Sequence, residues 1–219
     1  MTATLAISKR IVSLEQLKQR WPNLVQAEDD SFFPEWRDNL PTLTEEEKTR
    51  LNQYQNRYQR HRERGELSEG TVKLLLLFPL LELAGFYDDP FFISAESISH
   101  EENVELVIED RNETLRGRID TLVIRSDLWV LLVESKRLIS FASAIPQALA
   151  DMLGNPNPDR PVYAMVTDGD LFMFIKLLAQ DPPRYDFSDP VSLLVPRRDR
   201  LYDILRILKQ VAQTLVASQ

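Results

Sequence analysis

The stretch Leu128-Trp129-Val130-Leu131-Leu132-Val133 is apolar at every position and then ends in Glu134-Ser135-Lys136. It reads as a strand, and a strand sends alternate side chains to opposite faces. Val130, Leu132, Glu134 and Lys136 therefore share one face, and Trp129, Leu131, Val133 and Ser135 the other. A strand apolar on both faces belongs in the middle of a sheet covered by helices on both sides. Two charged residues at the end of such a strand sit at the rim of a dry interior. That costs free energy unless they are paired or bind something.

The neighbouring strand supplies a partner. In Arg116-Gly117-Arg118-Ile119-Asp120-Thr121-Leu122, residues Arg116, Arg118, Asp120 and Leu122 share a face. A turn centred on Asp127 sets Asp120 directly opposite Glu134, where Cβ atoms stand about 5 Å apart. Carboxylates that close repel each other unless a divalent cation lies between them. Hard oxygen ligands suit Mg2+, which keeps some of its waters and leaves room for a phosphate. The backbone carbonyl of Ser135 is a natural further ligand, and Lys136 is placed to position a water or to neutralise charge. The same residues also fit a structural ion cluster. Glu-X-Lys alone carries little information, since Glu46-Glu47-Lys48 repeats it at a solvated helix start.

The rest of the chain punctuates itself. A short helical pattern over residues 12–21 ends at Pro22, and residues 31–42 read as an extended, docked segment. Thr44 and Glu47 have the spacing of a capping box, opening a helix that runs to about Arg64 before Gly65. On it Leu51, Tyr54 and Tyr58 form one stripe, either packed inward or, with the arginines beside them, open to stack on nucleic acid. Ser68 caps a helix over residues 69–85 with Gly85 as its stop; Pro79 inside it predicts a kink. Strands are expected over residues 91–98, 104–108, 115–125 and 128–137, then a helix over 141–153. A hairpin over 162–177 turns at Asp168-Gly169. Prolines mark a linker over 182–196, and a last helix spans 200–216. Its apolar stripe, from Leu201 through Leu215, is either core or a dimer face. The order is α/β, and the domains divide as a helical arm over 1–66 and a catalytic domain over 67–219.

Composition bounds the chemistry. With 219 residues, the chain can bury a full core. The sequence holds no cysteine, which excludes disulfides and thiolate metal sites. The first residues lack a signal peptide's apolar core, and no apolar run is long enough to span a bilayer, so a soluble, cytoplasmic protein is expected. His61 and His100 are isolated, and no Gly-rich phosphate loop is present. The net charge of −8 counts against a simple nucleic-acid binder. Yet the arginines cluster: Arg57, Arg60, Arg62 and Arg64; Arg116 and Arg118; and Arg197, Arg198 and Arg200.

The Gly117-Arg118-Ile119-Asp120 step, Val133-Glu134-Ser135-Lys136, the helix with Pro146-Gln147-Ala148-Leu149-Ala150, and Leu83-Ala84-Gly85-Phe86-Tyr87 together resemble the PD-(D/E)XK restriction-endonuclease-like superfamily. The resemblance is to stand-alone, cyanobacterial-type proteins related to the N-terminal nuclease domain of type I restriction enzyme R subunits. It covers roughly residues 30–210. It implies an αβββαβ core with a mixed central sheet flanked by helices. It also implies a Mg2+-dependent endonuclease, with Mn2+ as substitute metal, hydrolysing DNA in restriction, defence or repair. Asp120 and Glu134 would bind metal, Lys136 would be catalytic, and Gln147 would orient Lys136 or contact DNA. Glu69 matches an acidic residue that many members carry on the first helix as an added metal or water ligand; a first-turn Glu at a helix N-terminus is its plainer explanation. Superfamily members that cut both strands often pair up, so the resemblance admits a homodimer, and it admits a partner methyltransferase or motor subunit. Asp151 departs from the pattern, since many relatives carry Tyr there.

Overall fold

The structure, a computed structural model, describes residues 3–6, 11–95, 105–110, 113–118, 121–125, 128–135, 141–195 and 199–217. Strand β1 (Ala3–Ala6) comes first. Helix α1 (Leu14–Arg20) follows, capped by the Ser13 side chain, which accepts the Gln16 N–H. Strand β2 (Val25–Gln26) leads to a 3-10 turn at Pro34–Trp36, where an extended segment was expected. Helix α2 (Glu45–Arg62) opens with the expected capping box. Thr44 Oγ1 accepts the Glu47 N–H at 3.2 Å, and the Glu47 carboxylate accepts the Thr44 N–H at 2.7 Å. The helix ends slightly before Arg64, where the chain turns into Gly65 at φ 135°.

Helix α3 is continuous but not uniform: Glu69–Val72 is α-helical, Lys73–Leu77 forms a π turn, and Phe78–Leu83 is α-helical again. The expected kink at Pro79 takes this form for a simple reason. Proline offers no N–H, and its ring strikes the carbonyl four residues back. A wider turn just before it relieves that clash, and the Phe78 N–H reaches five residues back to the Lys73 carbonyl. Gly85, at φ 88°, is the expected stop.

The strands are β3 (Phe92–Ala95), β4 (Glu105–Asp110), β5 (Glu113–Arg118), β6 (Thr121–Arg125) and β7 (Leu128–Ser135). Helix α4 (Phe141–Leu153) leads to β8 (Val162–Thr167), β9 (Leu171–Leu178), β10 (Arg184–Phe187), β11 (Val191–Ser192) and finally helix α5 (Arg200–Ala217). The main sheet runs β2-β10-β9-β8-β7-β6-β3, with β11 on β9. Within it β7–β8 and β2–β10 are parallel and the remaining pairs antiparallel.

Three expectations need correction. The single strand expected over 115–125 is two strands in two sheets, for β5 pairs with β4 and β1 while β6 pairs with β3 and β7. β4 and β5 are close neighbours in sequence, and closing a short loop costs little chain entropy. The expected linker over 182–196 contains β10 and β11. The hairpin of β6 and β7 does not turn symmetrically about Asp127; its register shifts at a bulge between Val123 and Ile124.

The sheet separates two apolar clusters, and β8 feeds both. Tyr163 and Met165 join Leu51, Tyr54 and Tyr58 of α2, the buried face of α3 and the stripe of α5. Val162, Ala164 and Val166 join Ala148, Leu149 and Met152 of α4 and Leu17 of α1. Tyr54 and Tyr58 are buried, so they are packed inward and do not stack on nucleic acid. The stripe of α5 is likewise core and offers no dimer face. No helix among the described residues is long and apolar enough to cross a membrane.

Two tests follow from the α2 start. Thr44→Ala removes the cap and should cost about 1 kcal/mol, read by denaturant unfolding. Burial pushes the Glu47 carboxyl up, but hydrogen bonds from Lys209 and Thr44 outweigh this and hold it below its usual range. A depressed folded value stabilises above the unfolded value of 4.5 and is lost as pH falls through the folded one. Glu47→Gln should therefore flatten the loss of stability between about pH 5 and pH 3, measured by circular dichroism.

Candidate functional site

Strand β7 lies inside the main sheet, between β6 and β8. Beyond the bulge its register with β6 is Thr121↔Val133, Leu122↔Leu132 and Val123↔Leu131. This is the register that the sequence requires for an Asp120–Glu134 pairing, reached through the bulge. Asp120 and Lys136 lie outside the described residues. Glu134 and Ser135 are the last two residues of β7, standing beside Val166 and Thr167 of β8. Helix α4 connects the two parallel strands and packs against both. Ligands of open α/β sheets bind at the carboxyl ends of such strands, and this is where Glu134 and Ser135 stand.

Glu69, at the start of α3, is paired with Lys73 at 2.8 Å, one turn along its own helix. Gln147 is half-buried on α4, the helix whose inner face covers Val166. Asp151, one turn further on, is 3% exposed, so that position faces the interior. His61 is half-buried near the end of α2, and His100 lies outside the described residues. Among the described residues, no group of three or more His, Cys, Asp or Glu side chains could hold a metal ion.

Just past the carboxyl end of β8, the chain reverses through Asp168-Gly169-Asp170. Thr167 Oγ1 accepts the Gly169 N–H at 2.9 Å, and Asp168 Oδ1 accepts the N–H groups of Asp170 and Leu171 at 2.9 and 2.8 Å. The Asp170 carboxylate is gripped from α2: the Tyr58 hydroxyl donates to it at 3.0 Å, and Arg62 Nε at 2.8 Å. Burial, then the Asp170 charge, raises the Tyr58 phenol far above its usual range, so it stays a donor. A cavity of about 400 Å³ opens here, lined by Tyr58, Arg62, Gly65, Glu66, Asp168 and Asp170 among others. The sequence marked Asp168-Gly169 as a turn, but nothing in it marked Tyr58 and Arg62, more than a hundred residues earlier, as the turn's partners.

A second buried cluster also went unread. Glu35 Oε1 accepts from the Tyr163 hydroxyl and from Lys176 Nζ, each at 2.7 Å. Burial and then the Glu35 charge raise the Tyr163 phenol far above its usual range. Tyr163 and Lys176 are cross-strand partners on β8 and β9. The cluster thus fastens the 3-10 turn to the sheet, several residues from the carboxyl end of β8.

No protein-family model matches the chain, and no curated protein is significantly similar to it.

Gly169 has φ 92°, and a Cβ there would stand 2.6 Å from the Tyr58 hydroxyl oxygen. Gly169→Ala should cost at least about 1 kcal/mol of stability and push Tyr58 off Asp170. Thermal melting and tyrosine fluorescence would register both effects.

Proposed function

We propose that the chain is a Mg2+-dependent endonuclease of the restriction-endonuclease-like superfamily, hydrolysing DNA phosphodiester bonds in restriction, defence or repair. One observation carries the reading: Glu134-Ser135, with Lys136 next in sequence, closes an interior strand of a mixed sheet, beside a parallel strand reached through a helix. The order α3, β3, β6, β7, α4, β8, with β4 and β5 between β3 and β6 set in a separate sheet, supports this reading. The register of β6 on β7, continued by one pair, would set Asp120 against Glu134.

Asp120, Glu134 and the Ser135 carbonyl would hold the metal, and this all-oxygen set fits Mg2+, or Mn2+ in its place. The bound ion supplies charge neutralisation at the scissile phosphate and a more acidic water. Lys136 would hold the attacking water in line or neutralise charge that develops on the phosphate. Gln147, on the helix that covers Val166, would orient Lys136. Glu69 is left outside this scheme by its pairing with Lys73.

The net charge of −8 favours a second reading, in which a nuclease-fold protein binds nucleic acid or a methyltransferase or motor subunit without cutting. Asp151, where many relatives carry Tyr, supports the same alternative. Nicking of supercoiled plasmid with Mg2+ or Mn2+ separates the two. Glu134→Ala should lower the rate by on the order of a hundredfold or more. Equal rates in both proteins would remove Glu134 from the site, and no nicking by either would leave the binding reading.

A further inference from the structure

Most cationic side chains in the described part of the protein have partners. Arg50 meets Glu82, Arg62 meets Asp170, Arg184 meets Asp29, and Lys209 meets Glu47. Arg57, Arg60 and Arg64 do not: all three are exposed, and none makes an ion pair or hydrogen bond among the described residues. Their spacing is i, i+3 and i+7, which puts them on one stripe of α2 and the turn after it. Glu63 stands three residues after Arg60, yet no ion pair joins the two. Cations in the last turn of a helix are favoured by its dipole, but that effect fades within a turn. Arg57 lies more than a turn from the end of α2, so the dipole does not explain it. In a chain of net charge −8, three guanidinium groups in a row with no ion pair among the described residues form a local exception.

Their position is fixed by α2. Tyr58 and Arg62, from the other side of the helix, bind Asp170 in the turn that follows β8, which leaves the stripe facing solvent. Thr167, at the end of β8, stands beside Ser135, at the end of β7. The helix that carries the stripe is thus anchored at the same end of the sheet as Glu134 and Ser135. From Arg57 to Arg64 it spans about 10 Å at 1.5 Å per residue. One strand of a DNA duplex carries a phosphate for roughly every 3.4 Å of axis, so the stripe matches about three phosphates.

We infer that Arg57, Arg60 and Arg64 form a seat for the phosphate backbone of a DNA duplex on the solvent face of α2, at the end of the sheet where β7 and β8 close. The choice of DNA rests on the nuclease reading; the seat itself is a binding surface and is tested without metal. Fluorescence anisotropy of a short labelled duplex, in EDTA and over a salt series, measures the affinity and its salt slope. Replacing all three residues by Gln should weaken binding at least tenfold at low salt and reduce the slope by about 3. The matched control Lys18→Gln with Lys48→Gln and Arg184→Gln should leave the slope unchanged. All three stripe residues are exposed, so the melting temperature should not move. Undiminished slope in the stripe variant, an equal loss in the control, or no duplex binding by the wild type would each overturn the inference. So would a polyglutamate peptide that competes as well as duplex at equal charge, which would make the stripe a seat for acidic protein. Nicking is scored apart: a wild type that binds through the stripe but never cuts removes only the hydrolytic reading. One that cuts while the stripe variant binds normally removes only the seat.

Discussion

Strand β8 is buried at all six of its positions, and most of the chain is arranged to keep it so. Backbone polar groups in so dry a place must be paired. The parallel ladder to β7 and the antiparallel ladder to β9 pair them. The alternating side chains then demand a helical layer on each face. Helices α2, α3 and α5 cover one side, and α1 and α4 the other. A strand so enclosed has one region where its chemistry can meet solvent, the rim at its end. The placement of Glu134-Ser135 and of the Asp168–Asp170 turn at that rim follows from the layering.

The first third of the chain is bound into this arrangement. Strand β2 extends the sheet through β10, Glu35 fastens the 3-10 turn to β8 and β9, and Asp170 fastens the end of α2. Glu35 and Asp170 both act as buried or half-buried acceptors to which a distant segment brings a cation and, in each case, a tyrosine hydroxyl. A carboxylate out of water needs such partners, and each one found here lies more than a hundred residues from its carboxylate in sequence.

Features set by local patterns were legible in the sequence. The Thr44 capping box, the Gly85 stop, the Asp168-Gly169 turn and the two-faced apolar run of β7 each reside within a few consecutive residues, and each is present. What escaped depends on partners remote in sequence. β10 and β11 are short strands among prolines and form only because β9 offers them an edge. β5 leaves the expected long strand because β4 is near. Tyr58 reads equally as a stacking ring or a core ring until Asp170 arrives. At the candidate site, the β6–β7 register was legible because it depends on alternation within one hairpin. Glu69 pairs with Lys73, one turn along its own helix.

The bulge in β6–β7 has an evolutionary consequence. It sits between the hairpin loop and the stretch Thr121–Val123, whose pairing sets the phase of the strand toward Glu134. A register slip would send every side chain beyond it to the opposite face, yet a bulge absorbs one extra residue locally. The loop side of the hairpin is therefore mechanically uncoupled from the rim side. Insertions and deletions at the loop can accumulate among descendants of this chain, while the far end keeps its alignment.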